Sequence, residues 1–201
     1  CWTTFLLGMI YLIITVLGFL SLNSPEEQIG DPFFTMMELS ILLIAPSTAI
    51  SLIGIHFCSS PEDRIFSLIS VFFMFLMVGI SSCVHFTILI LRHQPEFNVI
   101  PEIDLVFSFR WPSVVYVLDI LAWDWFYAIS LLFLAPVFKG DGLSGLIKIL
   151  IIVSGVLCLA GLIGIPLNNM QVRNIGIIGY GVIAPFIFLL AAMNLKRKFS
   201  V

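Results

Sequence analysis

Five ionisable residues stand inside stretches otherwise composed of apolar side chains: Glu38, His56, His85, Asp119 and Asp124. Such a group is costly in an apolar setting unless it is partnered, so each is a candidate for chemistry. A carboxylate and imidazole set suits acid–base work or the relay of a proton. Three of the five fall at one depth. Glu38 lies five residues into its stretch, Asp119 six into another, and His85 six from the far end of a third. At helical rise all three sit about 8–9 Å from the same boundary. Consecutive helices alternate direction, so the coincidence holds whichever side of a membrane that boundary faces.

Tyr116, Asp119, Trp123 and Tyr127 recur at helical spacing and share one face. The candidate polar pocket is therefore Glu38, His85, Tyr116 and Asp119, with Ser81 and Ser82 one turn from His85. Asp124 stands deeper, near a midplane, between Trp123 and Trp125. In a regular helix it is turned by roughly 140° from Asp119. An unpaired aspartate there would cost about 2.5–3.5 kcal/mol, so a proton or a partner on another helix is expected. The two tryptophans either wall a pocket or pack a core. Asn168, Asn169 and Arg173 are expected at an outer rim.

Two readings of the polar layer stay open. One is an outward-facing pocket. The other is an interhelical hydrogen-bond cluster that holds the helices in register, each bond contributing about 0.6 kcal/mol. His56, His85 and His93 are too far apart for one coordination shell, and no helical pair of ligands occurs, so no metal site is expected. No cofactor is indicated. Phosphate-binding, nucleophile-elbow and zinc-protease motifs are absent.

The elements that must carry these residues follow from composition. The chain has 201 residues, 60% of them hydrophobic and only 10% charged, with a mean hydropathy of +1.15. A soluble domain carries about 25% charged residues. Nine scattered Lys and Arg make no basic face, which excludes a nucleic-acid partner. Cys1, Cys58, Cys83 and Cys158 form no C-x-x-C pair and read as packing residues.

Spanning a bilayer takes about 20 apolar residues. The sequence predicts an all-α integral membrane protein, a bundle of six transmembrane helices with short loops. Residues 1–201 form a single domain, with helices at about 1–22, 33–58, 62–91, 113–138, 143–167 and 175–195. The first reads as a retained helix rather than a signal peptide. Pro25, Glu26, Glu27 and Asp31 make an acidic first loop. Residues 99–112 alternate, Ile103, Leu105, Phe107, Phe109 and Trp111 against Glu102, Asp104, Val106, Ser108 and Arg110. Period two predicts an extended segment lying at the membrane interface. Pro46, Pro136 and Pro185 are expected kinks, and the glycines of the last two helices expected close-packing points.

Lys and Arg favour one side. Arg64, Lys139, Lys148 and the tail Lys196, Arg197, Lys198 fall together, against Arg92, Arg110 and Arg173. The rule that basic loops stay inside predicts both termini cytoplasmic. The expected function is a polytopic membrane protein whose pocket handles a lipid or small apolar ligand. The alternatives are an accessory or structural subunit of a larger membrane complex, and a small proton-coupled transporter. Expected partners are membrane lipid, and other membrane subunits or further copies of the chain.

Overall fold

The computed structural model describes residues 1–24 and 27–199. Pro25 and Glu26 of the acidic loop, and Ser200 and Val201, lie outside them. Six helices are long and apolar enough to cross a membrane: α1 (Trp2–Leu20), α2 (Phe33–Phe57), α3 (Pro61–Arg92), α4 (Val114–Val137), α5 (Leu143–Gly164) and α6 (Met170–Lys198). The all-helical expectation and the number of long apolar helices hold at that level.

Local chemistry sets the ends. Asp31 accepts hydrogen bonds from the Thr35 backbone N–H at 3.2 Å and its hydroxyl at 2.5 Å, closing the first turn of α2. The Thr35 hydroxyl bond holds the Asp31 carboxyl below its ordinary range. Pro61 occupies the first turn of α3, where its missing N–H costs nothing. The Ser113 hydroxyl accepts from the Tyr116 N–H at the start of α4, and the Asn169 side chain accepts from Gln171 and Val172 at the start of α6. Pro46 sits inside α2. The Ser47 and Thr48 hydroxyls both donate to the Ile44 carbonyl beside it, at 2.8 Å each. Proline has no N–H for the Leu42 carbonyl one turn back, and these hydroxyl bonds go to a neighbouring carbonyl instead.

Each helix packs on its neighbour in sequence, and α6 closes onto α1, so the six form a ring in chain order. Gly8 of α1 meets Pro185 of α6; an added Cβ would stand 2.8 Å from the proline ring. Leu52, Met74, Leu131, Ile147, Ile187 and Ala191 are fully buried in a packed core. Beside it a cavity runs along α1 from Phe19 to Thr4 and reaches the 93–113 loop. Outward positions carry apolar side chains such as Leu6, Ile13, Phe72, Phe75 and Ile149.

Two departures from regular geometry matter. Residues Leu121–Tyr127 in α4 and Ile178–Ile183 in α6 run as wider π turns. A π turn spends more residues per revolution, so each residue rotates less. The angle between Asp119 and Asp124 therefore falls below the expected 140°. The second departure corrects the extended reading of 99–112. That stretch winds through tight turns at Phe97–Val99 and Ile103–Leu105, with Glu102 left-handed at φ 59. Two of its apolar side chains pack inward, Phe107 and Phe109 joining Phe34, Val84, Ile88 and Val115, while Val99, Ile100 and Leu105 stay exposed. This burial replaces the sheet partner that an extended strand would need.

Candidate functional site

The ring encloses a cavity of about 580 Å³, within the range of small-molecule sites. Its walls come from α1, α2, α3, α4 and α6. On α1 the lining runs from Thr4 to Phe19, a depth of roughly 22 Å at helical rise. At the loop end it reaches the exposed side chains of Glu27, Gln28 and Asp104.

Three helices bring their ionisable residues together in the wall. Nδ1 of His85 lies 2.8 Å from Oε2 of Glu38, and Nε2 lies 3.2 Å from Oδ1 of Asp119. All three side chains are buried. The imidazole thus bridges two carboxylates, one from α2 and one from α4. Phe109 covers its ring face at a centroid distance of 5.2 Å, and the Tyr116 ring meets Phe109 edge-on at 6.4 Å. The predicted pocket residues Glu38, His85, Tyr116 and Asp119 all line the one cavity.

A second ion pair stands beside the first. Arg173 Nη2 donates to Oδ2 of Asp124 at 3.0 Å. The arginine is only 2% exposed, and its guanidinium lies 5.0 Å from the Tyr116 ring centroid. The expected partner for Asp124 is therefore this residue. Arg173 is not a rim residue: it starts at the end of α6 and points into the bundle. Close approach between α5 and α6 makes room for it. At Gly161 an added Cβ would stand 2.7 Å from the Arg173 carbonyl oxygen and 2.9 Å from the Gly176 nitrogen. At Gly176 it would collide with the Asp124 carboxylate.

The remaining predicted residues separate. Trp123 is 7% exposed, lines the cavity, and meets Tyr180 and Tyr127 at 5.3 and 5.7 Å. Trp125 is 45% exposed and faces outward. Asn168 accepts a bond from the Trp111 indole at 3.3 Å, and Asn169 caps α6. Both act on the loops rather than on the cavity. His56 contacts the Ser67 hydroxyl at the far end of α2. The Ser81 hydroxyl is buried without a partner among the described residues and does not extend the His85 network.

Sequence reasoning missed Tyr11 and Arg92, which also line the cavity. Tyr11 had a legible signal. Thr4, Gly8, Tyr11 and Thr15 recur at i, i+3 or i+4 and form the only small or polar stripe of the first apolar run. Arg92 had none, since it reads as a helix-end basic residue; its guanidinium stacks on Phe34 at 3.8 Å.

Comparison of the chain with models of protein families, with curated proteins and with solved structures returns no match in any of the three.

Proposed function

We propose that the chain is an integral membrane protein that binds a lipid-soluble small molecule inside its helix ring. The observation that carries this is the bridged Glu38–His85–Asp119 cluster, itself buried, in the lining of a cavity of about 580 Å³. Here α2, α3 and α4 present it to a space with apolar walls lower down, at Ile41, Ile44, Ala184 and Phe188. A polar end at the cluster and an apolar body toward Phe188 would match that lining.

In this reading both termini are cytoplasmic and the cavity faces outward, as the distribution of Lys and Arg favours. The outward apolar side chains meet lipid. The 93–113 loop covers the mouth through Phe107 and Phe109. A carrier coupled to protons would need a polar path from Asp124 to the other end. The lining below the cluster, at Ile41, Ile44, Ala184 and Phe188, is apolar, which favours a binding site over a proton path. An accessory role would leave the cavity empty of any dedicated ligand.

Gly181 tests the proposal. It lines the cavity, and an added Cβ there meets only Ile177, at 3.4 Å. Gly181→Leu directs bulk into the space. Native mass spectrometry of the protein released from detergent should find a bound molecule in the original chain and none in Gly181→Leu, with both unfolding at similar temperatures. Equal occupancy in the two, or none in either, would overturn the reading.

A further inference from the structure

We infer that the ligand is a monocationic amphiphile, its charged head among the aromatic rings beside the Glu38–His85–Asp119 cluster and its apolar tail toward Phe188; this rests on the cavity being a ligand site. The argument begins with a proton count. Both imidazole nitrogens lie at hydrogen-bond distance from a carboxylate oxygen. Each of those two contacts needs one hydrogen between its heavy atoms. If both sit on the imidazole, one positive charge faces two negative ones. If one sits on a carboxyl group, a neutral ring and a neutral acid face one carboxylate. With no further proton on the second oxygen of either acid, both arrangements leave one net negative charge, which a third proton or a cationic ligand would neutralise.

The other groups near it do not cancel that charge. Arg173 and Asp124 neutralise each other as a pair. Tyr11, Tyr116 and Tyr180 add none. At the mouth Arg92 is outnumbered by Glu27 and Asp104. A buried excess of one charge in an apolar cavity is expensive, and a ligand of opposite sign removes the expense. The loop surface around the mouth repeats the sign. Among the described residues Glu27, Asp31, Glu96, Glu102 and Asp104 stand against Arg92 and Arg110, a field that would draw cations toward the opening.

Ring faces supply the second, independent observation. Trp123 packs in a tilted pair with Tyr180 and another with Tyr127, and all three line the cavity. Aromatic faces attract cations, tryptophan most of all, and cages of such rings suit a quaternary ammonium. The protein already uses two faces in this way, with Arg173 over Tyr116 and Arg92 over Phe34. An anionic head would instead meet a cluster of its own sign.

The test uses the full chain in lipid nanodiscs, with Trp2, Trp111 and Trp125 replaced by phenylalanine so that Trp123 reports alone. Three probes of one chain length are titrated: octyltrimethylammonium, octanol and octanesulfonate. The expected result is that the ammonium binds at least about tenfold more tightly than octanol, with the sulfonate weakest. Of Glu38→Gln and Asp119→Asn, both near-isosteric, at least one removes the negative charge and should bring the ammonium-to-octanol ratio toward one. Octanol binding as tightly as the ammonium, a preference for the sulfonate, or a ratio untouched by both variants would overturn the inference while leaving a ligand cavity standing. No saturable response to any probe would overturn the cavity reading itself.

Discussion

His85 makes two contacts that no other residue here could make together, because its ring presents two nitrogens at opposite edges to two helices. Removing it leaves Glu38 and Asp119 buried without their bridge. Breaking a buried pair by deleting one partner costs about 3–5 kcal/mol. His85→Ala is therefore expected to lower stability by that order, read as a large drop in unfolding temperature in maltoside micelles. Glu38→Gln keeps shape and hydrogen bonding, and should cost about 1 kcal/mol or less, on the scale of an interhelical bond in a membrane bundle. A similar cost for the two variants would show that the bridge carries no special weight. Arg173 and Asp124 allow a cleaner separation. Arg173→Met alone should cost about 3–5 kcal/mol, and adding Asp124→Asn should recover much of it, because the stranded charge is gone. A double variant as unstable as the single one would mean that arginine packing, not pairing, matters.

Elements decide where these side chains can meet. The contact of α5 with α6 depends on Gly161, whose Cβ position is filled by the backbone of Arg173 and Gly176. Gly161→Ala should cost about 1–3 kcal/mol by overpacking, whereas Gly54, with nothing within 4 Å, should accept alanine with no loss and a small helix gain. Unfolding measurements on the two variants check the contrast; an equal loss at both sites would refute it. The start of α2 carries a pH dependence. Asp31 is held below its ordinary range by the Thr35 hydroxyl, so its contribution is present above the unfolded-state value, near 4. That contribution disappears as pH falls through the lower folded-state value. Asp31→Asn should thus be less stable than the original chain at neutral pH, with the gap closing in acid. The start of α3 was legible, because Pro61 has a strong positional preference; the start of α6 was not, since Asn168–Asn174 read as a polar connection whereas Asn169 caps a helix that begins at Met170. The π turns were not, since no residue type in 121–127 or 178–183 demands one. The 99–112 loop misled because its apolar and polar residues alternate in sequence without alternating in burial: Leu105 stays 55% exposed, and Ser108 is half-buried with Phe107 and Phe109.

At the scale of the molecule, charge is divided between the two ends. Arg64, Lys139, Lys196, Arg197 and Lys198 gather at the end away from the cavity mouth, where Lys139 pairs with Asp63 at 2.8 Å and Lys198 donates to the Cys58 carbonyl at 2.8 Å. The proposed orientation follows from this division, and cysteine labelling tests it. In a chain with its native cysteines replaced by alanine, Asp104→Cys should react with a membrane-impermeant maleimide on intact cells. Asp141→Cys should react only after the membrane is opened. The reverse pattern would invert the topology and turn the cavity inward.

Depth is one-dimensional, set by a constant rise per residue. The sequence alone therefore determined six apolar helices and placed Glu38, His85 and Asp119 in one layer. Rotation about each helix is a different quantity. Where both the surroundings and the core are apolar, the pattern of hydrophobic residues does not say which face turns inward. Only the closed ring of six helices decided that these three side chains meet. It also turned Trp123 in and Trp125 out, and drew Arg173 from a helix end into contact with Asp124. The cavity is likewise tertiary, because it is the space left where aromatic and small residues from five helices fail to fill the ring.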